Sequence, residues 1–205
     1  MRALVVVDVQ NDFLPGGPLP APAADEVVPV INRLMPAFVL VVAAQDWHPR
    51  DHGSFAANHP GRKPGDVIDL DGLPQILWPV HCVQETPGAA FAPGLNVQRF
   101  ERVFRKGTNP RVDSYGAFFD NGRRQDTGLC DFLRQHGVDQ IFVAGLTTDY
   151  CVKCTALDAR SLGFRTTVVL DGCRGVNVQP GDVDRAIKEM KAAGVGIMDS
   201  AAVLG

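Results

Sequence analysis

Residues 141–170 read IFVAGLTTDYCVKCTALDARSLGFRTTVVL, and they decide the fold. Ile141–Ala144 is a short apolar run with the length and composition of a strand buried on both faces. Asp149–Leu162 then has helical spacing, which turns Val152, Ala156, Leu157 and Ala159 toward a core before Gly163 stops it. Thr166–Leu170 is a second buried strand. A strand, a helix and a further strand in this order specify parallel pairing with the helix laid on the sheet.

The same alternation extends in both directions. Ala3–Val9, Phe38–Ala44 and Phe100–Phe104 read as strands, and Val195–Met198 as a weaker sixth. Ala24–Leu34 has helical spacing despite Pro29, which counts against a regular helix there. Gly128–His136 places Leu129, Phe132 and Leu133 on one face, with Gly137 as its C-terminal stop. Asp182–Ala193 opens on an acidic residue and ends at Gly194. The expected architecture is α/β, a three-layer α/β/α arrangement around a mainly parallel, doubly wound sheet of about six strands. Gln45–Gln98 departs from the pattern, being rich in Pro, Gly, His, Trp and Asn with little periodicity. A stretch of that length reads as an ordered, functional insertion. Neither a domain boundary nor an internal repeat is visible, so residues 1–205 are expected to form one domain.

Composition narrows the function. Twenty Lys and Arg against 23 Asp and Glu give a net charge of −3 without runs of one sign, which argues against nucleic-acid binding by phosphate neutralisation. No apolar stretch approaches the ~18 residues that cross a bilayer. Met1–Val7 is basic and then apolar, but Asp8 ends the run too early for a signal peptide, so a cytoplasmic protein is expected. Five cysteines, odd in number and unevenly spaced, point to reduced thiols rather than a disulfide framework.

In open parallel sheets ligands bind beyond the carboxyl ends of the strands. The polar residues at those ends are Asp8, Asp46 with His48, Arg105 and Lys106, and the segment Gly145–Cys151. An acid, a lysine, a thiol and a carboxylate–histidine pair would therefore meet along one edge. Each alone has a plainer reading. Free cysteines are usually buried and inert, lysines usually solvated, and an Asp after a strand often only turns the chain. Cys151 gains interest from its place at a helix start, where thiol pKa values fall. Cys151 and Cys154 also form a C-x-x-C pair, but no second pair completes a zinc knuckle. Asp46 and His48, two apart on extended chain, project to the same side and can reach one cation. His81 offers a third ligand, with His52 and His59 as further candidates. Imidazoles with one carboxylate suit Zn²⁺, Fe²⁺ or Mn²⁺; the alternative is loop histidines bonded to the backbone.

Taken together, several segments resemble the nicotinamidases, which belong to the isochorismatase-like cysteine hydrolases. These are Val7–Phe13 (VDVQNDF), Gln45–Pro49 (QDWHP), Trp78–Val83 (WPVHCV), Lys106–Gly107, Val112–Asn121, Asp149–Val152 and Asp171–Asn177. The resemblance covers nearly the whole chain in the expected order. It implies an isochorismatase-like fold in which the 45–98 insertion carries metal ligands, and a catalytic triad of Asp8, Lys106 and Cys151. It further implies a divalent metal held by Asp46, His48 and His81, Zn foremost with Fe or Mn as alternatives. Some members recruit a further histidine at the position of His52, which stays outside the expected set, and Ser54 is a candidate to reach a metal-bound water. The implied substrate is nicotinamide, a small molecule oriented by the metal through its pyridine nitrogen and enclosed by Phe13, Trp78 and Tyr115. The implied reaction, a step of NAD salvage, passes through a cysteine thioester; pyrazinamide is a plausible second substrate. The backbone N–H groups of Thr147 and Cys151 are the expected oxyanion donors, after a cis peptide at Leu146–Thr147. Thr147 stands where such proteins often carry Ala.

Two other readings compete. Another small-amide or carbamoyl hydrolase of the superfamily would share Asp8, Lys106 and Cys151 but have no use for Asp46, His48 and His81. A non-catalytic zinc-binding or thiol-sensing module would use Cys151 and Cys154. No membrane or nucleic-acid partner is expected, and a homo-oligomer is compatible with such a fold.

Overall fold

The computed structural model describes all 205 residues. Six strands form one sheet: β1 (Arg2–Val7), β2 (Leu40–Asp46), β5 (Arg102–Lys106), β6 (Gln140–Leu146), β7 (Arg165–Arg174) and β8 (Gly196–Met198). Their order is β5-β2-β1-β6-β7-β8 and every pairing is parallel. The chain thus winds outward from β1 in one direction through β2 and β5, and from β6 in the other. The two directions part between β1 and β6, the position where open α/β sheets bind ligands.

Successive residues of a strand face opposite layers, and β1 shows this directly. Ala3, Val5 and Val7 join a core with Leu129 and Leu133 of α2 (Leu129–Gln135), Ala156 and Ala159 of α3 (Lys153–Ser161), and Met190 of α4 (Asp182–Ala192). Leu4 and Val6 join the opposite core with Val27, Ile31 and Leu34 of α1 (Val27–Leu34) and Val203 of α5 (Ser200–Leu204). The expected three layers are present.

Details differ from the sequence reading for local reasons. Ala24–Glu26 forms a 3-10 turn and α1 begins at Val27, so Pro29 falls in the first helical turn, where its missing N–H breaks no intrahelical bond. Gly181 rather than Asp182 caps α4, and α5 lacks the length for a periodic signal. The insertion is more regular than its composition suggests. It holds an antiparallel hairpin of β3 (Val67–Leu70) and β4 (Leu73–Ile76), turned by Asp71 and Gly72 with φ of 54° and 84°. Asp-Gly with positive φ at both positions is a favoured two-residue hairpin turn. All five cysteines are free. No helix is long and apolar enough to cross a membrane.

Candidate active site

Four strand ends deliver the polar residues. β2 and β5 run two pairs further than expected, so Asp46 and Lys106 are the last register partners of their ladder. Neighbouring parallel strands lie ~4.8 Å apart with side chains in step. Lys106 Nζ accordingly reaches Asp46 Oδ1 at 2.5 Å. Just past β1, Asp8 takes φ of 49°, and its Oδ2 lies 2.9 Å from Lys106 Nζ. That approach is off the direction of a hydrogen bond, and neither Asp8 oxygen has a hydrogen-bond donor. The ammonium instead donates to Asp46, to the Ser114 carbonyl at 2.8 Å and to Cys151 Sγ at 3.6 Å. Asp8, Asp46, Lys106 and Cys151 are all buried. The three strand-end residues and the thiol therefore share one enclosed volume.

Cys151 lies in a wide helical turn, Thr148–Val152, which leads into α3. The Thr147 carbonyl accepts the N–H groups of Tyr150 and Val152, while the Thr147 N–H is given to no protein acceptor. The Leu146–Thr147 peptide is cis. Close backbone approach of β6 to β1 depends on Gly145, where a Cβ would stand 2.0 Å from the Val7 carbonyl oxygen.

Burial dominates the electrostatics. It pushes the Asp8 carboxyl up to about 7 against the pull of Lys106, with Asp46 adding to the rise. It pushes the Cys151 thiol well above its ordinary value, again against Lys106. The lowering expected of a helix start is outweighed, because desolvating a thiolate costs more than a few aligned amides return. For Asp46 burial also acts upward, but Lys106 and His48 hold the carboxyl well below the usual range. Burial would lower Lys106, yet Asp46 and Asp8 raise it well above its ordinary value. The resting site thus holds a protonated thiol, a fixed ammonium and a carboxyl that exchanges its proton near neutrality.

On the other side of Asp46 lie two histidines. A short parallel bridge, His48 N–H to the Cys82 carbonyl and Gln84 N–H to the His48 carbonyl, sets residues 81–83 beside His48. His48 Nδ1 bonds the Gly107 carbonyl at 2.9 Å and His81 Nδ1 the Pro79 carbonyl at 2.8 Å. Each ring then turns Nε2 toward Asp46 Oδ2, at 3.6 and 3.9 Å. Donor separations of roughly 3–3.5 Å are what bonds of ~2.0–2.1 Å to one ion produce. Backbone carbonyls on the far nitrogens are the usual way of orienting metal-ligating imidazoles. This donor set fits a divalent cation. Gly107 makes it possible, because a Cβ there would sit 2.3 Å from His48 Cε1.

His52 is fully buried, with Nδ1 on Ser54 Oγ at 2.7 Å and an unpartnered Nε2; burial holds it down to about 4. His59 is not in this cluster: its Nε2 bonds the Gly53 carbonyl. Cys154 enters no donor cluster, so the C-x-x-C pair gathers no metal site.

A narrow pocket opens over Cys151, Asp46, His48 and His81 and includes Phe13, Trp78 and Tyr115 in its lining. Phe13 meets the His81 ring edge-on, and Trp78 Nε1 donates to the Tyr115 hydroxyl at 3.1 Å. Leu19, Asp113, Tyr150 and Val176 also line it, and sequence reasoning gave them no role. Asp113, Tyr150 and Val176 stand in quoted segments, so the signal was present without a position in space. Gln10 was missed likewise: its amide grips the Asp46 backbone at both N–H and carbonyl, each at 2.8 Å.

Comparison with known proteins places the chain in a family. The model of the isochorismatase domain matches residues 2–202. A nicotinamidase of Escherichia coli strain K12 is 55% identical over 197 residues, 94% of this chain and 92% of that protein. A solved nicotinamidase–pyrazinamidase of Acinetobacter baumanii superposes with a TM-score of 0.95 at 46% identity, covering 98% of this chain and 97% of that one. A pyrazinamidase of Pyrococcus horikoshii, solved in complex with zinc, superposes with a TM-score of 0.79 at 37% identity, covering 97% and 98%.

Proposed function

This chain belongs to the isochorismatase family, and from that premise we propose that it is a nicotinamidase, hydrolysing nicotinamide to nicotinate and ammonia. The observation that carries the reading is the position of Lys106 Nζ, in contact at once with Asp8, Cys151 and Asp46. One ammonium couples a thiol–carboxyl pair suited to acyl transfer to a donor cluster suited to a cation.

Amide hydrolysis needs a nucleophile, a proton for a poor leaving group and stabilisation of a tetrahedral oxyanion. Asp8 takes the proton from Cys151 Sγ; the two lie within 4.8 Å of each other. A carboxyl near 7 both accepts and returns protons at neutral pH. The sulfur attacks the amide carbon, and Lys106 at 3.6 Å offsets its charge. The N–H groups of Thr147 and Cys151 would donate to the developing oxyanion. As the C–N bond breaks, Asp8 delivers its proton to the departing nitrogen, and ammonia leaves behind a thioester. Water attacks that thioester, giving one proton to Asp8, which returns it to the sulfur as nicotinate departs. Phe13, Trp78 and Tyr115 enclose the ring.

Asp46, His48 and His81 would hold a divalent cation, Zn²⁺ foremost. When bound, such an ion supplies a Lewis-acidic point for the pyridine nitrogen and so fixes the ring's orientation. Pyrazinamide, which keeps a ring nitrogen in the same relation to the carboxamide, is the expected second substrate. The test is release of ammonia from nicotinamide by the purified protein, with and without a chelator. Turnover that falls on chelation and returns with Zn²⁺ is expected; no ammonia from the metal-loaded protein refutes the reading.

A further inference from the structure

The chemistry above gives no part to the segment that leaves β7, nor to the aspartate two residues before Cys151. β6 and β7 end in register, with Leu146 beside Arg174. Thr147 and Gly175 therefore emerge side by side at the carboxyl edge of the sheet, where parallel neighbours lie ~4.8 Å apart. Asp149 stands in the wide turn that carries Cys151 and is 4% exposed. Its Oδ1 accepts the Val176 N–H at 3.0 Å and its Oδ2 the Asn177 N–H at 2.6 Å. Successive backbone N–H groups that converge in this way form an anion-binding concavity, here filled by a carboxylate of the same chain. Asn177, with φ of 57°, supplies its left-handed residue.

Two charge-assisted bonds thus tie the β7 loop to the turn of the nucleophile. Gly175 allows the approach: a Cβ there would stand 2.2 Å from Val183 Cγ2 and 3.0 Å from Asp149 Oδ1. Held in this position, Val176 lines the pocket together with Thr147, Tyr150 and Cys151. Every other lining residue comes from an earlier part of the chain, so this stretch of wall exists only while the loop stays in place.

We propose that Asp149 is a positioning residue for substrate binding: its carboxylate latches the Gly175–Asn177 loop so that Val176 closes the pocket against the ring of a small aromatic amide. This rests on the nicotinamidase reading. Asp8 and Lys106 are held from β1 and β5, away from the loop, so releasing it weakens binding more than it slows the chemistry.

The experiment measures kcat and KM for nicotinamide with metal-loaded wild type, Asp149→Asn, Gly175→Ala, Val176→Ala and the double variant Asp149→Asn/Val176→Ala. Amide hydrogen exchange at residues 175–177 is followed alongside. Asp149→Asn is nearly isosteric but offers one acceptor oxygen to two N–H groups. Its KM should rise ~10-fold while kcat stays within about twofold of wild type, and exchange in the loop should quicken. Val176→Ala should raise KM as well. The double variant should be little worse than the more affected single one, since a wall already displaced cannot be lost again. Gly175→Ala breaks the latch from the loop side and should show the same rise in KM; it decides the matter if Asp149→Asn does not fold. A fall in kcat at unchanged KM, or effects on KM that multiply in the double variant, would make Asp149 a merely structural part of the nucleophile turn and overturn the inference. KM values within about twofold of wild type in both Asp149→Asn and Gly175→Ala overturn it too, leaving the nicotinamidase reading intact. A wild type that releases no ammonia from nicotinamide overturns that reading, and the inference with it.

Discussion

Replacing Asp8 by Asn should make the protein more stable as it makes it inactive, and only at neutral and alkaline pH. An aspartate in the unfolded chain titrates near 3.8, whereas burial raises Asp8 in the folded protein to about 7. The folded state therefore holds this proton more tightly than the unfolded state. Below about pH 4 the carboxyl is protonated in both and has no effect; stability is lost as pH rises from there through 7, and the full penalty stands above it. At ~1.36 kcal/mol for each pH unit of difference, the ceiling of that penalty is roughly 4 kcal/mol. Asn is nearly isosteric and does not titrate. Lys106 is not stranded by the change, because it keeps Asp46 at 2.5 Å and the Ser114 carbonyl at 2.8 Å. Urea unfolding of metal-loaded wild type and variant, followed by the fluorescence of the two tryptophans, measures the difference. The variant should gain most at about pH 8.5 and nothing at about pH 4, with no ammonia release at either. A variant less stable than wild type at alkaline pH, or a difference that ignores pH, refutes the reasoning. Lys106 would then fully compensate the Asp8 charge, and Asp8 would lose its fitness as a base at neutral pH.

The same titration gives kcat/KM for nicotinamide an acidic limb: activity should fall as pH drops through about 7, where Asp8 becomes protonated and cannot accept the thiol proton. A limb at pH 5 or below contradicts this. Cys151→Ala should abolish ammonia release while metal content, read by atomic emission, is unchanged; His48→Ala should lose the metal and impair substrate binding as well as rate. Substantial turnover by Cys151→Ala, stopped only by chelation, would favour direct attack by a metal-bound hydroxide. Gly107→Ala adds a Cβ 2.3 Å from His48 Cε1 at a φ of 63°. It should weaken Zn²⁺ binding by ~10-fold or more, measured by chelator competition, with the core strands intact.

Burial, which holds the resting thiol protonated, also restrains its reactivity. In the proposed mechanism, a thiolate formed only when Asp8 takes the proton would keep this buried cysteine from oxidation and alkylation between turnovers. Lys106 serves both ends of the site because β2 and β5 end in register, so removing it would leave two buried carboxylates without their cation.

The order of strands and helices, and which residues stand at strand ends, could be read from the chain alone. Buried parallel strands must be apolar on both faces, and the first polar residue after such a run marks where it leaves the core: Asp8 and the Asp46–His48 pair were legible for that reason. The Asp71–Gly72 hairpin carried a usable signal within the insertion, hidden by a composition that suggested irregular loop. What composition and spacing could not supply were distances between segments far apart in sequence. Asp46 and Lys106 are 60 residues apart, and that they end as register partners is decided by the β2–β5 pairing. The unpartnered Nε2 of His52 exists only once folding has closed the insertion over it. Periodicity along a chain reports which side of an element is apolar. The protonation of a thiol, the pull on a carboxyl and the shape of a cation site depend on what other strands bring to the same few ångströms, and that is settled by packing alone.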